Sequence, residues 1–308
     1  MATTTAHAHA HHDDTPQTTG GKYYVPHDSA WPIVGALALL LIGYGAATWI
    51  SQLDQPEARS GPWVFGAGFA LLVVTLFGWF GKVIDESQRG LYSAQLERSF
   101  RQCMSWFIFS EVMFFLAFFG ALFYARVVAV PWLDGAGDNA MTAAILWPNF
   151  EAAWPLLQTP GGTATQAMPW TGIPLLNTLI LLASSVTLQV AHVAIEQGKR
   201  LRLKLFLSIT VLLGVVFLFL QGYEYMHAYR DLGLRLDSGV YGNTFYLLTG
   251  FHGLHVTIGA LILLVMLLRI VIKDHFTAQR HFGFQAAAWY WHFVDVVWLN
   301  LFVFVYVL

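Results

Sequence analysis

The chain has 308 residues; 56% are hydrophobic, 16% aromatic and only 11% charged, where a soluble domain carries about 25% charged residues. That balance excludes a water-soluble globule and reads as an integral membrane protein, while the net charge of -2 says nothing by itself. Cys103 is the single cysteine, so neither an intrachain disulfide nor a cysteine metal cluster can form; no phosphate-binding glycine motif and no basic run points to nucleotides or nucleic acid.

In chain order, residues 1–30 are polar and lack the apolar core of a secretory signal. Their "HAHAHH" run, His7 to His12, reads as part of a disordered, His-rich tail whose capacity to hold a stray metal stays open. Seven segments then have the roughly 20 apolar residues that a membrane helix needs. They are Trp31–Leu53, Pro62–Gly81, Gln102–Ala125, Trp170–Ile195, Leu205–Tyr223, Tyr241–Leu268 and Phe284–Leu308. With the amino terminus inside, 12 of the 16 Lys and Arg residues fall on the inner side and 4 on the outer side. This asymmetry orients the chain with a cytoplasmic amino terminus and an outer carboxyl terminus. A polar stretch, 86–101, is expected to connect spans 1–2 (31–85) to the remaining five (102–308). The Trp-, Pro- and Gly-rich stretch 126–169 is expected to be a long outer loop. No internal repeat supports an inverted-repeat transporter.

Ionisable groups inside hydrocarbon are costly, so each needs a partner or a role. Glu111 lies about nine residues into the third span, roughly 13 Å from the inner end. It is either part of a proton relay or an acid hydrogen-bonded to a neighbouring helix. His252 and His255, three apart in "TGFHGLHV", read as a packed, hydrogen-bonded pair; a metal or haem site would need further ligands that the sequence does not offer nearby. His292 and Asp295 in "AWYWHFVDVVWL" share a helix face and suggest a polar lock between helices. His192 at the inner end of the fourth span, and Glu224 with His227 at the outer end of the fifth, are placed where side chains reach water or headgroups.

The stretches "FIFSEVMFF" (107–115), "PLLNTLILLASS" (174–185), "YGNTFYLLTGFHGLHV" (241–256) and "HFGFQAAAWYWHF" (281–293), continuing through "WYWHFVDVVWL" (289–299), resemble subunit III of the haem–copper cytochrome c oxidases, in the family's order. The resemblance runs from about Trp31 to the end. It implies an all-α, seven-helix membrane protein whose two amino-terminal helices are separated from a five-helix bundle by a lipid-filled cleft. It also implies a non-redox subunit of an aa3-type oxidase that stabilises the catalytic subunit, supports proton uptake and protects against turnover inactivation. Glu111 matches the family's buried carboxylate. The chain itself would bind no haem, copper or other metal. Its partners would be oxidase subunits I and II and structural phospholipids, with cytochrome c as donor to the complex. Trp79, Glu86 and Arg269 match or adjoin lipid-contacting positions, although Asp85 stands where a basic residue is expected. The expected location is a bacterial cytoplasmic membrane. A quinol oxidase subunit and an autonomous proton transporter are the alternatives.

Overall fold

The computed structural model describes residues 29–53, 60–273, 275–278 and 280–308; the His7–His12 run lies outside them. Among the described residues the chain is helical, with one isolated bridge, Gln158 to Ala164, in place of any strand. Seven helices among the described residues are long and apolar enough to cross a membrane.

The first compact unit ends at Phe100. Its core is the pair α1 (Trp31–Ser51) and α2 (Ser60–Gln88). Buried positions recur every seven residues: Ala38 and Gly45 on α1, and Gly61, Gly68 and Thr75 on α2. A seven-residue spacing keeps one stripe facing its partner, and small residues in that stripe let backbones approach where lipid tails offer no hydrophobic drive. A Cβ on Gly68 would lie 2.7 Å from the Ile42 backbone nitrogen; one on Gly45 would overlap the backbone of Phe65, and one on Gly61 that of Trp49. Positions falling on α1 as they rise on α2 make the pair antiparallel. The larger side chains, Leu39, Leu40, Phe69 and Phe77 among them, point outward and are exposed.

The second unit runs from Arg101. Helix α3 (Ala94–Tyr124) enters it and continues through a π turn (125–129), the short helices α4 (Val130–Leu133) and α5 (Ala140–Leu146), and an irregular segment. Then come α6 (Ile173–Glu196), α7 (Arg200–Arg230), α8 (Val240–Leu268) and α9 (Phe282–Leu301), the last two extended by π turns at 269–273 and 302–307. Helices α6 and α7 form a hairpin through Gly198. Its φ of +68° is left-handed, and it directs Lys199 N–H to the Ala194 carbonyl (2.9 Å) and its own N–H to Ile195 (3.1 Å). This satisfies the last carbonyls of α6 in the glycine-terminated way.

The helices outrun the apolar stretches that mark them in the sequence. At 1.5 Å per residue the 31 residues of α7 extend about 46 Å, against a hydrocarbon core of about 30 Å. Helix α2 likewise runs to Gln88 and α3 begins at Ala94, so helix fills most of the expected 86–101 connection and only 89–93 links them. Polar residues continue a helix outside hydrocarbon because its backbone bonds are internal and its side chains reach water.

Overpacking costs about 1–3 kcal/mol in a tight core, so Gly68→Leu should lower the unfolding temperature of the purified protein. Gly66→Leu, whose Cβ would meet nothing within 4 Å, should not. A differential thermal scan of both variants in detergent checks this.

Candidate functional site

Helix α9 carries the centre of the second unit. Trp291 is fully buried, and its six-membered ring lies over two glycines: a Cβ on Gly214 of α7 would come within 2.6 Å of it, and one on Gly259 of α8 within 2.8 Å. Its indole N–H donates to Ser184 Oγ on α6 at 2.9 Å. One side chain therefore touches three other helices. Two turns on, Trp298 N–H donates to Thr178 Oγ1 at 3.0 Å, and its ring meets Phe217 edge-on at 4.8 Å. His292 Nδ1 and Ser185 Oγ are 2.7 Å apart. The two indole bonds descend α6 from Ser184 to Thr178 as they climb α9 from Trp291 to Trp298, so they form an antiparallel polar ladder, with the His292–Ser185 contact beside its Trp291 rung.

Of the two residues expected in a lock between helices, His292 reaches α6 in this ladder and Asp295 does not take part in it. His292 Nδ1 and Asp295 Oδ2 are 3.8 Å apart, beyond hydrogen-bond range. His292 bonds Ser185 instead, and Asp295 is buried with neither oxygen hydrogen-bonded. His252 and His255 do not bond each other either. His252 Nε2 donates to the Val294 carbonyl on α9 at 3.2 Å, with its ring between Phe217 and Trp298.

His255 faces Glu111. Its Nε2 lies 2.9 Å from Glu111 Oε2 on α3, and its Nδ1 lies 2.6 Å from the Phe251 carbonyl. A carbonyl only accepts, so Nδ1 carries a proton. The contact between Nε2 and Oε2 then also needs one proton, on either partner. The pair is a neutral acid with a neutral imidazole, or a carboxylate with an imidazolium, and it holds one exchangeable proton in both forms. Phe114, Phe115, Tyr290 and Phe293 surround the imidazole with ring centroids at 5.9, 5.0, 6.4 and 6.5 Å.

A second acid is placed differently from the sequence reading. Glu224 does not reach the interface: it is buried, and Tyr306 in the terminal π turn donates to its Oε1 at 2.6 Å. Gln221, one turn earlier, accepts from Asn177 Nδ2 at 3.5 Å. The signal was Gln221 and Glu224 on one face of α7, with Asn177 in the first turns of α6; Tyr306, far along the chain, gave none. His227 does lie outward, paired with Asp231 at 2.7 Å.

Of the residues matched to lipid positions, Trp79 is exposed on α2. Glu86 is buried and accepts from Tyr92 OH at 3.1 Å across the turn into α3. Asp85, the unexpected acid, is exposed and paired with Arg89 at 2.8 Å. In the other unit, the Arg269 guanidinium covers the Phe276 ring at 4.3 Å.

Residues 21–308 match the family model described as cytochrome c oxidase subunit III. The chain is 41% identical over 285 residues to the cytochrome c oxidase subunit 3 of Gadus morhua and, equally, to that of Oncorhynchus mykiss. Each alignment covers 92% of this chain and 96% of the relative. The protein of the same name from Salmo salar is 40% identical over the same length. These relatives correct the expected bacterial cytoplasmic membrane: they come from fishes, which points to the mitochondrial inner membrane instead. The charge asymmetry could not make this distinction, because it says which ends share the basic side and not which membrane holds them.

Ser184→Ala would leave the Trp291 N–H buried without an acceptor, a loss of about 1–3 kcal/mol. The assembled protein should unfold at a lower temperature. Ser208→Ala should be silent, because its hydroxyl is exposed and bonded only to its own helix. Thermal unfolding followed by tryptophan fluorescence compares the two.

Proposed function

Because the chain belongs to the cytochrome c oxidase subunit III family, we propose that it stabilises the catalytic subunit of an aa3-type oxidase, supports proton uptake there and prolongs the enzyme's life during turnover. The observation that carries this reading is the Glu111–His255 pair. A carboxyl group inside a helical bundle must be neutralised or paired, and this one is joined to the one side-chain type whose ordinary titration spans neutral pH. A pair that shares one proton between two sites can accept or release it with little movement of either side chain.

Haem and copper belong, in this reading, to partner subunits I and II, and cytochrome c supplies electrons to the complex. Around the chain, phospholipid headgroups would meet Arg269, whose charge suits an anionic group, and the exposed indole of Trp79. Glu86 already gives one carboxylate oxygen to Tyr92, so it would orient the turn at the lipid surface more than hold a headgroup.

Glu111→Gln tests the reading. The amide N–H₂ can still donate to His255 Nε2, so folding and assembly should survive, whereas the exchangeable proton is lost. The oxidase should show a several-fold shorter turnover lifetime or a slowed proton-uptake phase, measured by oxygen consumption and flow-flash absorbance on the purified complex. Wild-type behaviour in both would reduce Glu111 to a packing role.

A further inference from the structure

A separate cluster lies where the end of α6 meets the start of α9. His192 and Glu196 are one turn apart on α6, and His281 is the residue that precedes α9. His192 Nε2 is 3.9 Å from Glu196 Oε1, and one potential ligand atom from each of the three residues lies within 4.8 Å of the others.

The histidines are oriented. His281 Nδ1 donates to the Thr277 carbonyl at 3.2 Å, which leaves Nε2 as the lone-pair nitrogen of the neutral ring; a metal-binding imidazole is held by this kind of bond on its other nitrogen. The His192 ring is packed against Phe284 at 5.6 Å and His281 at 5.8 Å. Its Nε2 is shielded from solvent and has no hydrogen-bond partner. A buried polar atom in that state calls for a water or an ion.

The donor types select the ion. Two imidazoles and one carboxylate suit a borderline divalent metal and match the three-ligand set of an open zinc site. Magnesium and calcium prefer all-oxygen shells. The neighbouring Lys199, Arg200, Arg202 and Lys204 repel cations, so the general field of this surface would not hold an ion; direct coordination must do it. Bonds of about 2.1 Å in a tetrahedron require ligand atoms about 3.4 Å apart. The cluster must contract by roughly 1 Å, and the Glu196 side chain, 58% exposed, can swing that far.

We infer that His192, Glu196 and His281 form a three-ligand site for a divalent first-row transition ion, with the fourth position open to water. Such an ion would clamp the end of α6 to the start of α9. This site is independent of the Glu111–His255 reading and stands or falls without it.

The test is equilibrium dialysis of the purified oxidase complex against micromolar Zn²⁺ after a chelator wash, with bound metal counted by mass spectrometry. Wild type is compared with Glu196→Gln and His281→Ala. Wild type should retain one more zinc per complex than His281→Ala, and Glu196→Gln should bind that zinc about tenfold more weakly or worse. Excess Mg²⁺ should not displace it. Zinc should also raise the unfolding temperature of wild type and not of His281→Ala. Glu196 is exposed, so its variant folds and keeps the test decisive. Equal zinc content and affinity in all three proteins would overturn the site, as would zinc displaced by Mg²⁺.

Discussion

The packing of Trp291 is the constraint on which the second unit depends. In hydrocarbon there is no water to take an unpaired N–H and no hydrophobic drive to bring helices together. Trp291 answers both conditions. Its ring occupies space that Gly214 on α7 and Gly259 on α8 leave open, and its N–H ends on Ser184 of α6. A smaller residue would leave the glycines facing a void, and a larger residue at either glycine would displace the ring. The first unit meets the same conditions in two ways: Gly45, Gly61 and Gly68 bring two backbones together directly, and the Trp31 ring lies against Gly78.

From Trp291 the rest of the ladder follows by helix geometry. Trp298 is seven residues on and therefore on the same face, where Thr178 accepts its N–H. The hydroxyls that receive these bonds are in turn tied to their own helix, Thr178 to the Pro174 carbonyl and Ser184 to that of Leu181. Thr178 and Ser184 thus donate inward along α6 and accept from α9, so the two indole N–H groups and the two hydroxyls are all hydrogen-bonded, whereas the buried Asp295 carboxyl is not. This explains why α9 is the most deeply buried of the spans although its composition is not the most apolar.

Much of this was legible in the sequence. The seven spans follow from apolar runs of sufficient length, because a bilayer admits few other solutions. Glu111, His252, His255, His292 and Asp295 stood out because an ionisable residue in such a run is rare. What could not be read was which of them meet. Glu111 and His255 lie on different helices, and only the packing of α3 against α8 pairs them. His292 and Asp295 sit on one face, yet Ser185, a residue with no unusual signal, takes the imidazole. The serines, threonines and tryptophans of the seam are ordinary in a membrane helix, so their role appeared only with the neighbours in place. Glu224 looked accessible because it lies near a span's end; the length of α7 and the return of Tyr306 bury it.

The two kinds of polar contact have different consequences. An indole N–H meeting a hydroxyl that already donates elsewhere has a single arrangement: Trp291 can only give, and Ser184 can only accept. Contacts of this kind hold helices in one register and carry no mobile proton. Between Glu111 and His255 the heavy atoms are equally fixed, since the Phe251 carbonyl anchors the far side of the imidazole, but the proton between them has two seats. A change of field or hydration on either side can move that proton without breaking the helix contact. Rigid framework and proton-holding pair are therefore complementary: the ladder on α9 keeps α8 in position, and α8 in position keeps the distance between Nε2 and Oε2 short enough for the pair to share a proton.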